Sequence, residues 1–221
     1  RSYLAEGGLE VLVAIARFWA QRVNWSDAQE KFVILGVTGP NEYENNVNNN
    51  YYYTNFMAAW CLEYAAECAQ WLATEQPADY AELLAKLQLD SDEIEQWEAI
   101  RENLYFPYSE EHQVFLQQDG FLDKELIPVN ELDPAQRPIN QKWSWDRILR
   151  SCYIKQADTL QGMFFFEDRT DLDVLKRHFD FYEPLTVHES SLSPCVHTVL
   201  ASRLGYKKKA YELYLRTARL D

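Results

Sequence analysis

Apolar residues recur every three to four positions over most of the chain, the spacing that places side chains on one face of an α-helix. In the first such stretch Leu9, Val13, Ala16 and Ala20 fall in register. The same pattern predicts helices over residues 4–22, 51–73, 78–89, 91–103, 148–166, 172–181, 194–204 and 206–219. Helical periodicity therefore dominates the sequence from end to end.

The segments between these helices carry turn-forming residues. Residues 31–37 are typical of a short β-strand, and residues 41–50 form a polar loop rich in Asn. Residues at about 105–140 contain several prolines and an Asp-Gly pair, which predicts an irregular insertion. Pro77 is expected to end the helix before it, and a break near Lys155 is expected to divide the helix over 148–166.

An all-α fold follows, with about seven or eight helices and the longer loops between alternate members. This arrangement predicts a helical toroid or solenoid whose loops gather at one end. No repeat of fixed period is present in the sequence, which disfavours a helical-repeat interaction module. We expect the chain to be a fragment, or one segment of a larger protein, because it lacks an initiator Met and opens inside a predicted helix.

Composition narrows the classes of partner. The chain has 221 residues, of which 47% are hydrophobic, and a formal net charge of -14. A field of that sign repels nucleic acid and anionic membranes, so neither is expected as a partner.

The four cysteines form no C-x-x-C pair. This pattern favours free thiols in a cytoplasmic protein and does not predict a metal site. Aromatic residues reach 14%, and most are expected to fill the core.

Two polar segments could bind a sugar. Glu42 follows Gly39-Pro40, a tight turn, and stands beside Tyr43 and several Asn residues, so it could act as an acid among groups that suit sugar hydroxyls. A capped turn with solvated Asn side chains explains the same composition. Lys155 and Gln156 could grip hydroxyls where their helix breaks, although a Lys-Gln pair is more often found on a surface.

A third segment, residues 188–194, could bind an anion. His188, Ser190 and Ser191 precede a helix start, where hydroxyls, an imidazole and free backbone N–H groups can converge on one anion without excess positive charge. Capping of the helix by Ser193, with Pro194 at its first position, explains those two residues alone. Anion binding and simple capping both remain open at this point.

Together these segments resemble glycoside hydrolase family 65, and they occur in the family's order. The resemblance is carried by residues 37–43, 48–55, 155–158, 182–194 and 210–219, with the letters VTGPNEY, NNNYYYTN, KQAD, YEPLTVHESSLSP and AYELYLRTAR. It implies an (α/α)6 barrel, of which residues 1–221 would form the C-terminal half. The β-rich domains that flank such a barrel would lie outside this chain, and the remainder of the catalytic domain would be its partner.

The resemblance also implies an inverting disaccharide phosphorylase. Residues 41–46, Asn-Glu-Tyr-Glu-Asn-Asn, are similar to members that act on maltose, which implies reversible phosphorolysis of maltose to glucose and β-glucose 1-phosphate. The implied roles are Glu42 as general acid, Lys155 and Gln156 as glucose ligands, and His188, Ser190 and Ser191 as phosphate ligands. A single acid suffices because phosphate replaces the activated water of a hydrolase. No cofactor is implied, phosphate being a co-substrate, and family analogy suggests a homodimer.

Several alternatives remain at the sequence level. Many family members carry Asp where this chain has Asn41, and Glu44 is an alternative candidate for the acid. Trehalose, kojibiose and nigerose are alternative substrates of the same chemistry. A family hydrolase is disfavoured because it has no use for the Ser190-Ser191 loop. A non-catalytic carbohydrate-binding toroid is the alternative from another class.

Overall fold

The computed structural model describes residues 3–44 and 47–219 and divides the chain into two units. The first unit comprises residues 1–35 and 55–105, and the second comprises residues 36–54 and 106–221. Asn45 and Asn46 of the predicted polar loop, and the closing residues 220–221, lie outside the described residues.

The first unit is helical, with one short hairpin. Its helices are α1 (Leu9–Arg22), α2 (Tyr52–Glu75, whose first turn belongs to the second unit), α3 (Pro77–Leu87) and α4 (Ser91–Glu102). The strands β1 (Asn24–Ser26) and β2 (Lys31–Val33) pair antiparallel, with Trp25 opposite Phe32. The predicted strand over 31–37 therefore ends four residues early, and its partner strand was not predicted.

The helix boundaries of this unit follow from single residues. Gly7 has a non-helical backbone, so the predicted helix over 4–22 divides into a π-helical turn and α1. Pro77 begins α3 rather than only ending α2, because its missing N–H is harmless at a first helical position. Apolar residues at helical spacing, among them Leu9, Val13 and the fully buried Trp97, form the core of this unit.

The second unit combines short helices with irregular segments. The strands β3 (Tyr108–Ser109) and β4 (Val114–Phe115) form a hairpin. The helices are α5 (Ile139–Lys142), α6 (Trp145–Leu149), α7 (Thr159–Phe165), α8 (Leu172–Tyr182), α9 (Ser193–Arg203) and α10 (Lys207–Thr217). Between the hairpin and α5, only 3-10 turns interrupt irregular chain, as the prolines at about 105–140 predicted.

The predicted helix over 148–166 is wrong for most of its length. Helix α6 ends at Leu149, α7 begins at Thr159, and residues 150–158 form neither helix nor extended strand. In place of intrahelical bonds, the backbone N–H of Ile154 donates to Leu185 O at 3.0 Å, and Ile154 O accepts from Val187 N at 2.9 Å. The expected break near Lys155 is thus a long connection between two short helices.

His178 on α8 ties the β3–β4 hairpin to this unit. Its Nε2 accepts from the backbone N–H of Phe115 at 2.7 Å, and its Nδ1 lies 2.8 Å from Val174 O. Nδ1 must then carry the proton, so the folded ring is neutral. Burial lowers the pKa of His178 from 6.5 to about 4.

We expect this histidine to make the protein less stable in mild acid. Between pH 6.5 and about 4 the unfolded chain binds a proton at His178 that the folded chain does not, so the stability falls as the pH falls, by about 3 kcal/mol at most. Chemical unfolding of the full-length protein from pH 7.5 to 4.5 measures this slope. The slope of the free energy of unfolding against pH gives the number of protons taken up on unfolding. In His178→Gln, whose amide oxygen can still accept from Phe115, this number should fall by up to one. An unchanged slope would contradict the assignment.

The structure also shows the state of the cysteines and the apolar character of the helices. All four cysteines are free; Cys68 and Cys152 are buried, Cys61 is half-buried and Cys195 is exposed. Within the described ranges, no helix combines the length and the apolar character needed to cross a bilayer.

Candidate functional site

Glu42 lies on a single 3-10 turn, Glu42–Glu44, whose backbone is fixed by Asn41. The Asn41 side chain is fully buried, and its Oδ1 accepts from Tyr43 N at 3.2 Å and from Lys155 N at 2.9 Å. The side chain of Glu42 itself is 53% exposed. The turn therefore presents one accessible carboxylate on a rigid support.

Asp158 holds the same turn from beneath. Its Oδ2 accepts from Asn41 N at 3.0 Å, and burial raises the pKa of Asp158 to about 7. A Cβ on Gly39 would lie 2.6 Å from this oxygen, so only glycine allows the approach. The Asn41 side chain also donates from Nδ2 to Gln117 Oε1 at 3.4 Å, a hydrogen bond that an ionised Asp at this position could not donate.

Lys155 and Gln156 lie directly against the 3-10 turn Glu42–Glu44, which we call the acid turn because it carries the candidate acid Glu42. The amide of Gln156 donates to Pro40 O at 2.9 Å, and its Oε1 lies 3.5 Å from Glu42 N. The ammonium of Lys155 forms an ion pair with the carboxylate of Glu42. Two residue pairs that are 113 or more positions apart in sequence are thus brought together.

The segment over residues 182–194 contacts both the acid turn and the chain that leads to Lys155 and Gln156. Ile154 forms a parallel bridge with Thr186, which aligns the chain that leads to Lys155 with the chain that leads to His188. From the acid turn, the Tyr43 hydroxyl donates to Glu189 Oε2 at 2.5 Å. The structure therefore brings together all three segments that the sequence singled out.

The loop that carries Ser190 and Ser191, called the serine loop below, is accessible and does not cap the helix that follows it. Ser191 is exposed and Ser190 is half-buried, with its Oγ accepting from Leu192 N at 3.2 Å. Helix α9 begins at Ser193 without a side-chain cap, and the Ser193 hydroxyl instead lies 2.7 Å from Nδ1 of His188. Capping by Ser193, the simple alternative, does not describe this loop.

His188 is buried within a hydrogen-bonded network. Its Nε2 lies 3.2 Å from Glu183 Oε2, the oxygen that His197 Nδ1 also contacts. Burial lowers the pKa of His188 to about 4, so the ring is neutral: Nε2 donates to Glu183, and Nδ1 accepts from Ser193. Burial alone would raise the pKa of Glu183, but the hydrogen bonds from both histidines outweigh it and hold that pKa below its usual value.

Glu183, His188 and His197 are also the residues that could hold a metal ion. Their ligand atoms lie within 4.8 Å of one another, and among the described residues this is the group of potential metal ligands that lies so close together. However, both rings approach a single carboxylate oxygen, and Lys209 Nζ lies 3.3 Å from the other. Such contacts are those of N–H donors around a carboxylate, and the cationic lysine opposes a second cation.

Two arginines fix the backbone of the His188 loop. Arg216 donates to His188 O at 2.5 Å, and Arg137 contacts Val187 O and donates to Glu189 Oε1 at 3.2 Å. His188 has a positive φ of 53°, a conformation that a non-glycine residue keeps only when its surroundings hold it. A cavity of about 710 Å³ adjoins these three residues, and its lining includes neither Glu42 nor the two loop serines.

Glu44, the alternative acid, is placed differently from Glu42. Its side chain is 1% exposed and forms an ion pair with Lys124. Burial lowers the pKa of Lys124 to about 8. Glu44 is therefore buried and already paired, whereas Glu42 is the accessible one of the two carboxylates.

Several side chains of the site were not identified from the sequence. Glu189 and Asp158 stand inside the recognised segments but were assigned no role, since neither spacing nor composition shows which oxygen faces which loop. Arg137 lies in the irregular insertion, where no periodicity places it. The sequence offered two roles for the Asn side chains of residues 41–50, contact with sugar hydroxyls or exposure to solvent. Asn49 and Asn50 instead bond Gly36 and Asp119 within the protein.

The chain matches a known family over its whole length. The sequence model for the central catalytic domain of glycosyl hydrolase family 65 covers residues 1–221. The chain belongs to this family. The predicted all-α class is confirmed and agrees with a segment of the (α/α)6 barrel that the resemblance implied.

Individual relatives are disaccharide phosphorylases. The chain is 55% identical to a maltose phosphorylase of Bacillus subtilis over 221 residues, and 41% identical to an α,α-trehalose phosphorylase of Thermoanaerobacter brockii over 220 residues. These matches cover 100% and 99% of the chain, but it spans only 28% of the length of either relative. A solved structure from the human microbiome, provisionally assigned as a kojibiose phosphorylase, superposes with a TM-score of 0.84 at 31% identity, over 96% of this chain and 29% of that one.

Proposed function

We propose that this chain carries the acid and the phosphate loop of an inverting disaccharide phosphorylase that acts on maltose. The observation that carries the proposal is the meeting of the acid turn, the Lys155-Gln156 pair and the Ser190-Ser191 loop. The 55% identity to a maltose phosphorylase supports maltose over trehalose and kojibiose, whose phosphorylases are 41% and 32% identical.

In this mechanism Glu42 donates its proton to the glycosidic oxygen as the bond from that oxygen to the anomeric carbon breaks. An oxygen of phosphate attacks the same carbon from the opposite face, so the α-glucoside becomes β-glucose 1-phosphate and free glucose leaves. The new phosphate ester gives up its proton, which restores the acid. Because phosphate is the nucleophile, no carboxylate is needed as a base, in contrast to an inverting hydrolase.

Lys155 and Gln156 would hold the glucose unit at the cleaved bond. The Lys155 ammonium, which contacts Glu42, would turn to the sugar hydroxyls and leave the carboxylate facing the glycosidic oxygen. Gln156 would keep its bond to Pro40 and thereby keep the acid turn in register with the sugar. Positioning of this kind accounts for a large part of enzymatic rate enhancement.

Ser190, Ser191 and the backbone N–H groups at the start of α9 would hold phosphate, with His188 completing the set. Both ring nitrogens of His188 are hydrogen-bonded within the protein, so its contribution through the ring requires exchange of one of those bonds. Arg216 places positive charge behind the loop, which helps an anion to bind in a chain of net charge -14. The charge of Arg137 is compensated by its ion pair with Glu189.

The wider properties of the protein are proposed on the same basis. We propose a cytoplasmic location, a homodimer, and a catalytic domain completed by the remainder of the same polypeptide, with no cofactor beyond the co-substrate phosphate. Neither nucleic acid nor membrane is a proposed partner.

Activity of the full-length protein tests this proposal. Maltose, trehalose, kojibiose and nigerose are each incubated with and without inorganic phosphate, and glucose release is followed. Phosphate-dependent release from maltose alone is the expected result. Release from another disaccharide would change the substrate and keep the chemistry, phosphate-independent release would indicate a hydrolase, and no release from any sugar would favour a non-catalytic module.

A further inference from the structure

Glu189 occupies an unusual place, because its carboxylate accepts from three donors that belong to two separate segments of the second unit. Its Oε2 accepts from the Tyr43 hydroxyl at 2.5 Å and from the backbone N–H of Ile139 at 2.9 Å, and its Oε1 accepts from Arg137 Nε at 3.2 Å. The side chain is only 8% exposed. A carboxylate with three donors and this burial is fixed in one orientation.

The sequence neighbours of this contact are the groups of the proposed chemistry. Tyr43 directly follows Glu42, the proposed acid, and Glu189 directly precedes Ser190 in the proposed phosphate loop. Burial and the hydrogen bond to Glu189 raise the pKa of Tyr43, so the phenol stays protonated and continues to donate. One side-chain hydrogen bond therefore spans the two loops that must act on opposite faces of one anomeric carbon.

Resting on the proposed function, we propose that Glu189 and Tyr43 are positioning residues that fix the separation between the acid turn and the phosphate loop. Neither touches the reacting atoms. The Tyr43–Glu189 bond keeps the carboxylate of Glu42 beside the glycosidic oxygen and the phosphate oxygen on the opposite face of the anomeric carbon. Arg137 neutralises Glu189 and also donates to Val187 O, so one arginine holds both the Glu189 side chain and the backbone that leads into the phosphate loop.

The acid turn has independent support, which makes the inference separable from folding. Asn41, Asp158 and Gln156 hold the turn whether or not Tyr43 keeps its hydroxyl. The Tyr43 ring also packs edge-on against Trp145, with 6.3 Å between ring centroids, and this contact survives loss of the hydroxyl. Without the hydroxyl, Glu189 keeps Arg137 and Ile139 as donors and is not left unpaired.

The test is Tyr43→Phe in the full-length protein, with maltose and phosphate varied separately. We expect kcat for phosphorolysis to fall about 10-fold, because misplacement by a fraction of an ångström loses part of the alignment. The KM for maltose should stay nearly unchanged. Glu189→Gln should show the same division between kcat and KM, and the double variant should be no slower than the slower single variant, because both remove one coupling.

Tyr182→Phe is the matched control, since its buried hydroxyl donates to Phe115 O at 2.6 Å and so removes a comparable bond. It should lower the melting temperature as much as Tyr43→Phe does, with kcat unchanged. If Tyr43→Phe lowers only the melting temperature, or if the two substitutions multiply in kcat, the positioning role is overturned. An inactive unsubstituted protein would instead overturn the proposed function.

Discussion

Glu42→Gln in the full-length protein is expected to lower kcat for maltose phosphorolysis by about 10²- to 10⁴-fold, the range that a positioned general acid contributes. Gln keeps the size of the side chain and its accessible place on the 3-10 turn, and it has no proton to donate to the glycosidic oxygen. Steady-state release of glucose at saturating phosphate measures the effect. Melting temperature should change little, because the carboxylate is half-exposed.

A substrate with a good leaving group separates the acid role from other roles of Glu42. Dinitrophenyl α-glucoside releases a phenolate that needs no proton, so Glu42→Gln should lose far less activity on it than on maltose. Equal losses on both substrates would show that Glu42 serves in binding rather than as the acid.

Glu44→Gln is the matched control for this substitution, two residues away. Removing the charge leaves Lys124 buried without its partner, and we expect a loss of stability of about 3 kcal/mol. The kcat of the folded protein should be largely retained. Loss of activity in Glu44→Gln at full folding, with activity kept in Glu42→Gln, would exchange the two assignments.

The second large effect is expected at the proposed phosphate loop, which carries Ser190 and Ser191. In Ser190→Ala/Ser191→Ala, two hydroxyls that would donate to the anion are lost, and a hydrogen bond to a charged group contributes about 1.5–3 kcal/mol. The KM for phosphate should therefore rise by about 100-fold or more, with little change in the KM for maltose. Initial rates over a phosphate series at saturating maltose measure this division.

Ser202→Ala provides the comparison for the phosphate loop, since Ser202 is exposed on α9 and lies away from the loop. Its phosphate KM should equal that of the unsubstituted protein. An equal rise in the KM for maltose in the double variant would point to a general distortion of the site and against a phosphate ligand set.

Helical periodicity predicted most of the helices because their apolar faces are local in sequence. It failed over 148–166, where Ile148, Leu160 and Met163 are buried at spacings that suit a helix but belong to two short helices. What decides this segment is the pairing of Ile154 with Leu185 and Val187, which is a long-range property of the fold.

The candidate site shows the same division between local and distant information. Glu42, Lys155, Gln156 and the serine loop stand in recognisable segments, so the sequence could name them. Their mutual support could not be predicted, because it depends on which buried oxygen faces which donor. Glu183 is an example: it stands inside the recognised segment 182–194, where the sequence gives it no role, yet it is bound by His188 and His197 in the structure.

The stereochemistry of phosphorolysis tests the central claim most directly. Proton NMR of the full-length protein with maltose and phosphate should show β-glucose 1-phosphate as the first phosphorylated product, formed only when phosphate is present and not formed by Glu42→Gln. Formation of α-glucose 1-phosphate, or of glucose alone at a rate independent of phosphate, would contradict attack by phosphate with inversion and the proposed roles of Glu42 and the serine loop.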